Sequence, residues 1–198
     1  MDSKSWLNRM KSRNDMSSRL THLTRGKYDD EAFENLWSIL IDKKIKGSGG
    51  YIIGDTKAVC LQELPLTAIV ENLLYEDSLN DKIRYSPFGV RFYKRFIYKN
   101  GGRPVIYENS TLMKNYLPES EYWRIVNFDL TKEKACFDWT HEREWRVPDK
   151  LKFNYGCIEV IVKNSKYYRK LVERCISEDR MDILTEIRGI VTLNSIRA

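Results

Sequence analysis

Short apolar runs recur along this chain, separated by turn residues and interrupted by only a few helix-periodic stretches. That rhythm restricts the folds it can adopt. Strand signals fall at Leu20–Thr24, Tyr51–Ile53, Ala58–Leu61, Phe88–Tyr93, Arg103–Tyr107, Tyr122–Phe128, Glu144–Val147, Cys157–Val162 and Ile187–Leu193. Phe33, Leu36, Trp37, Leu40 and Ile41 recur at helical steps, which predicts a helix from about residue 30 to 46, stopped by Gly47-Ser48-Gly49-Gly50. Pro65 opens a second helix to about Leu74, residues 76–84 read as a charged loop, and Tyr167–Ser177 forms a third helix. Many short strands around two or three helices predict an α+β domain.

Trp6, Leu7 and Met10 share a helical spacing, so residues 1–19 read as an N-terminal helical arm and 20–198 as a single domain. The chain of 198 residues is 42% hydrophobic, enough for a sizeable core. A net charge of +6 and a pI near 9.0 favour an anionic partner, nucleic acid among them. Met1-Asp2-Ser3-Lys4 leads into a polar stretch with no signal-peptide core, and no run approaches a membrane span. Cys60, Cys136, Cys157 and Cys175 lie far apart without a Cys-x-x-Cys pair; Cys60 and Cys157 sit in apolar, strand-like runs and are expected to be buried free thiols, and a reducing cytoplasm is expected. Two His without ligand-pair spacing argue against a metal site.

Neither a phosphate loop of the Gly-x-x-x-x-Gly-Lys-Ser/Thr type nor Gly-x-Gly-x-x-Gly occurs. Chemistry concentrates instead in Asp138-Trp139-Thr140-His141-Glu142-Arg143-Glu144-Trp145-Arg146-Val147. Glu142 and Glu144 are two apart in a strand-like run, which predicts that they share a face. When the N-glycosidic bond of NAD is cleaved, nicotinamide leaves neutral and positive charge develops on the ribose. A carboxylate gripping the 2'-hydroxyl stabilises that charge, and a second acid can activate the nucleophile. His22, flanked by Thr21 and Thr24, offers hydroxyls and an imidazole for ribose and carboxamide groups. Tyr85-Ser86-Pro87-Phe88-Gly89-Val90-Arg91-Phe92 can supply an aromatic wall, with Arg91 for a pyrophosphate oxygen.

Thr21-His22 followed by Asn35-Leu36-Trp37-Ser38-Ile39-Leu40 resembles the opening of the DarT-type ADP-ribosyltransferases. Tyr85-Ser86-Pro87-Phe88 is similar to that family's Tyr-x-Pro-Phe segment, and Glu144 before an aromatic residue to its late Glu strand. The layout also resembles AbiGi-like phage-defence proteins through Cys60 to Leu66 (Cys-x-x-Glu-x-Pro-Leu), Gly102 to Tyr107 (Gly-x-Pro-Val-x-Tyr) and Glu144-Trp145-Arg146. The resemblance implies an ADP-ribosyltransferase-like split β-sheet core with flanking helices, and NAD as substrate. It implies Thr21, His22, Thr24, Asn35, Tyr85, Phe88, Arg91 and Phe92 as NAD contacts, with Glu144 and Glu142 as catalytic acids. An RNA or DNA acceptor and an antitoxin protein are the implied partners. The alternative is a catalytically silent NAD- or RNA-binding module on the same fold. The family's Arg after the first helix has no counterpart, Lys57 being the nearest base, and the His22-to-Asn35 spacing carries an insertion.

Overall fold

The computed structural model describes residues 5, 8, 12–79, 84–131 and 137–196. Its strands are β1 (Arg19–Leu23), β2 (Lys44–Lys46), β3 (Ala58–Gln62), β4 (Gly89–Tyr93), β5 (Arg103–Pro104), β6 (Ile106–Glu108), β7 (Ile125–Asn127), β8 (Glu144–Pro148), β9 (Lys150–Lys152), β10 (Ile158–Val162) and β11 (Ile190–Thr192). Its α-helices are α1 (Asp29–Asp42), α2 (Leu66–Ser78), α3 (Lys94–Lys99), α4 (Ser110–Lys114), α5 (Ser165–Ser177) and α6 (Met181–Glu186). A seven-stranded sheet runs in the order β11-β10-β4-β1-β3-β8-β5, joined by two two-stranded sheets, β2-β9 and β6-β7. All neighbours in the large sheet are antiparallel except β10 and β11. The fold is therefore mixed α/β around a large, mostly antiparallel sheet, compatible with the expected α+β class.

Alternation decides which face each helix covers. Leu20, Val59, Leu61, Val90, Phe92, Val147, Ile158 and Val160 point to one face and meet Phe33, Leu36, Trp37 and Leu40 of α1 and Tyr167, Leu171 and Cys175 of α5. Leu23 and Ile161 point the other way and meet Ile69, Val70 and Leu73 of α2. The central strand is β1, while β10 is buried but next to the edge strand. Gly89 is required where β4 crosses β1, because a Cβ there would collide with the His22 carbonyl oxygen.

Several boundaries differ from the sequence expectation. The first helix ends at Asp42, because Lys43 adopts a left-handed conformation (φ 48°) and caps it. Lys44–Lys46 then pairs with β9, and Gly47 donates its N–H to the Asp149 carbonyl. The second helix continues to Ser78 with Pro65 as its N-cap, so the loop expected from residue 76 starts later. Tyr51–Ile53 forms no strand, and Tyr51 is exposed. Arg103–Tyr107 splits at Val105 between β5 and β6, which belong to different sheets. Residues 122–124 lie in a 3-10 helix before β7. Trp6, Leu7, Met10 and Cys136 lie outside the described residues.

Candidate functional site

One row of residues crosses five strands. Glu159 of β10 pairs with Arg91 of β4, Arg91 with Thr21 of β1, Thr21 with Gln62 of β3, and Gln62 with Glu144 of β8. Cross-strand partners share a face, so a residue from near each end of the chain reaches the same surface. The row is charged at both ends and largely neutralised from within. Glu159 accepts from Arg19 at 2.8 Å and Arg91 at 3.1 Å. Glu144 is gripped by Arg146, whose Nε lies 2.8 Å and Nη2 3.2 Å from its carboxylate oxygens. The Nη1 of Arg146 also donates to the carbonyls of Trp123 and Ile125, and the residue is buried.

Glu142 and Glu144 do not share a strand. Glu142 ends a 3-10 helix (Thr140–Glu142), Arg143 turns the chain through a left-handed φ of 43°, and Glu144 starts β8. A non-glycine residue in that region is a strained position. The turn aims Glu142 back at β3, where its Oε2 accepts a hydrogen bond from the Gln62 amide. The Tyr85 side chain neighbours the same carboxylate and favours its ionised form, and His141 Nε2 lies 3.8 Å from Oε1. Burial pushes the Glu142 carboxyl above its ordinary range, against the pull of these neighbours. Burial also raises the Tyr85 hydroxyl, reinforced by Glu142 and then Glu144.

Each acid borders its own cleft. Glu142 lies in one of about 370 Å³ with Tyr75, Arg84, Tyr85, Trp139 and His141, where the Arg84 guanidinium stacks 4.1 Å from the Trp139 ring. Glu144 borders one of about 290 Å³ with Met16, Glu63, Tyr107, Arg143 and Trp145. The Tyr107 hydroxyl accepts the Glu144 backbone N–H at 2.7 Å.

His22 projects from β1 on the face opposite Thr21, opposite the buried Val90. Between β1 and β3 the only paired position is Thr21 with Gln62, and the imidazole turns towards β3, its Nδ1 2.9 Å from the Cys60 carbonyl. The placing of His22 with Glu144 at one NAD site, implied by the resemblance, is therefore corrected, since strand alternation sends their side chains to opposite faces. A carbonyl only accepts, so Nδ1 carries the proton of the neutral ring and Nε2 is left as an acceptor. Burial lowers the His22 pKa, and the Arg25 charge adds to the effect.

His22 yields a pH prediction. A folded-state pKa below the ordinary 6.5 gives stability that is complete above that value and is lost as pH falls through the folded pKa. The unfolding free energy from urea titrations at pH 8 to 5 should therefore fall, by at most about 1.4 kcal/mol per pH unit for one proton. His22→Gln should flatten that part of the slope; equal slopes in the two proteins would show that His22 titrates normally.

The remaining expected contacts separate into bound and buried groups. Phe88 and Phe92 are fully buried and form no cleft wall. Phe88, just before β4, packs on Phe33 of α1 and Tyr167 of α5, and Phe92 of β4 packs on Phe96 of α3 and on Phe153. Arg91 is committed to Glu159. Thr24 is buried, with its hydroxyl donating to the Ala32 and Phe88 carbonyls, so it ties β1 to α1 and to the segment before β4. Asn35 is exposed on α1 and donates to the Arg25 carbonyl at 2.6 Å. Thr21 is buried, and its hydroxyl has no hydrogen-bond partner.

Gln62 and Arg25 carry weight that sequence reading missed. The Arg25 backbone is held by Asn35, and the flanking Thr24 exchanges backbone hydrogen bonds with Ser86 and Phe88. Its guanidinium makes no ion pair among the described residues, while its charge bears on His22, Cys60 and Tyr85. The signal in the sequence was an Arg immediately before Gly26 at the end of a polar strand. Cys60 and Cys157 are half-buried rather than buried, and burial with the neighbouring Glu144 carboxylate pushes the Cys60 thiol up to about 12. Among the described residues, no group of three or more His, Cys, Asp or Glu side chains could hold a metal ion, and no helix is long and apolar enough to cross a membrane. Compared with known proteins, the chain matches no family model, no curated protein and no solved structure.

Proposed function

We propose that this protein is a mono-ADP-ribosyltransferase that cleaves NAD and passes ADP-ribose to a macromolecular acceptor. Nucleic acid is the acceptor class favoured by the basic balance, and a toxin or anti-phage effector is the role that the DarT-like and AbiGi-like sequence resemblance implies. The carrying observation is the convergence of Glu142, Glu144, Tyr85 and Gln62, with the Arg25 charge acting on Tyr85, from four separate parts of the chain.

In this reading the bond between nicotinamide and the ribose anomeric carbon breaks, and its electron pair leaves with nicotinamide. Glu144, held by Arg146, accepts the ribose 2'-hydroxyl and stabilises the developing positive charge. The acceptor's lone pair forms the new bond to the anomeric carbon, and Glu142 takes the acceptor's proton. An acid with a raised pKa suits proton exchange near neutrality better than an ordinary surface carboxylate. Arg25 replaces Arg91 as the cation for pyrophosphate, since Glu159 already occupies Arg91.

A second reading, a catalytically silent NAD- or RNA-binding module, is favoured by one feature: Arg146 engages both carboxylate oxygens of Glu144. Incubation of the protein with labelled NAD and separate pools of DNA, RNA and protein tests both. Label is expected in a nucleic-acid pool. A melting-temperature rise with NAD but no label in any pool would support the silent module. Neither binding nor transfer at millimolar NAD would exclude both NAD readings.

A further inference from the structure

We propose that Gln62 is a positioning residue, fixing the Glu142 carboxylate at the edge of the Tyr75–Trp139 cleft so that it exchanges a proton with a bound acceptor. Gln62 is buried at the end of β3, in register with Thr21 on one side and Glu144 on the other. Two ladders therefore set its position before its side chain makes any contact. From there its amide N–H reaches Glu142 Oε2. A carboxylate at the end of a short 3-10 turn, next to a strained Arg143, has no strand of its own to aim it. Gln62 supplies that direction from the rigid sheet, and the neighbouring Tyr85 hydroxyl also favours the ionised carboxylate.

The amide also suits the task better than the obvious alternatives. A Lys or Arg at this position would hold Glu142 permanently ionised, and an Asp or Glu would oppose it with like charge. A neutral donor leaves the acid able to gain and lose a proton. The other groups facing Glu142 are His141 at 3.8 Å, the Glu144 carboxylate and the Tyr107 hydroxyl, with Glu76, Arg84 and Asp138 around the cleft. The assignment of a proton-transfer role rests on the transferase reading above; the aiming of Glu142 by Gln62 does not.

The test is a carbon-13 carboxyl titration of the full chain, with the Glu142 signal assigned by its loss in Glu142→Gln. Removing either neutral group should raise the Glu142 midpoint, because both favour the ionised form. Gln62→Leu and Tyr85→Phe are therefore expected to titrate higher than wild type. Where transfer is measurable, the acid limb of the pH–rate profile should move up by the same amount. Gln62→Asn, too short to reach Glu142, serves if the Leu variant fails to fold. An unchanged Glu142 midpoint in the Gln62 variant, or a shift in Tyr85→Phe alone, would overturn the proposal. Shifted midpoints in a protein that transfers no ADP-ribose would keep the Gln62 clamp and discard the transferase reading.

Discussion

Glu144→Gln is expected to cost the protein both stability and turnover. The Arg146 guanidinium is buried, and two of its nitrogens donate to the Glu144 carboxylate. An amide keeps one acceptor oxygen but turns N–H groups towards a donor, and it leaves a buried charge without its counter-ion. Losing one partner of such a pair costs about 3–5 kcal/mol, softened here by the Trp123 and Ile125 carbonyls that Arg146 also reaches. Against a typical domain stability of about 5–15 kcal/mol, that loss should lower the urea midpoint markedly. On the transferase reading, transfer from NAD should fall by about 100- to 1,000-fold, because Glu144 is then the charge opposite the oxocarbenium.

Glu142→Gln should behave differently. Its carboxyl already suffers from burial, and the amide oxygen of Gln can still accept from Gln62. Stability should be kept or slightly raised, while on the same reading transfer falls by about 100- to 10,000-fold through loss of the acceptor's base. Equal urea midpoints for wild type and Glu144→Gln would discard the buried pair. Wild-type transfer by both variants would discard the acid roles.

Phe92→Ala is expected to destabilise the fold by about 3–5 kcal/mol without a specific effect on NAD. The ring is fully buried, stacked 5.6 Å from Phe96 and edge-on 5.4 Å from Phe153. Deleting it opens a cavity between the sheet and its covering helix, and close-packed neighbours relax only partly. The NAD affinity of the remaining folded molecules should match wild type. The opposite result, wild-type stability with NAD-induced stabilisation abolished, would return Phe92 to a ligand-facing wall.

These expectations show where the chain was legible. The helix periodicity of Phe33, Leu36, Trp37 and Leu40 was sufficient to locate α1, because one face of a helix must be apolar to pack on a sheet. Its end was not, because Lys43 takes the left-handed cap expected of the Gly-rich stretch four residues on. The aromatic segment at Phe88–Phe92 was correctly read as a strand and wrongly read as a wall. Alternation shows that residues i and i+2 share a face, but not which face is covered by α1 and α5.

The acids divide in the same way. That Glu142 and Glu144 lie near one another follows from two residues of separation, and local chemistry made them candidates. Their different environments arise from the left-handed turn at Arg143, from Arg146 folding back onto Glu144, and from Gln62, which is 80 positions from Glu142 along the chain. The mixed helix-and-strand character and most strands and helices were legible locally, because periodicity and turn residues act between near neighbours. Long-range contacts were needed to send His22 to the face opposite Glu144, to neutralise Arg91 with Glu159 and to bring Gln62 to Glu142. Strand order and register are settled by contacts between distant segments, and no local pattern encodes which strand becomes whose neighbour.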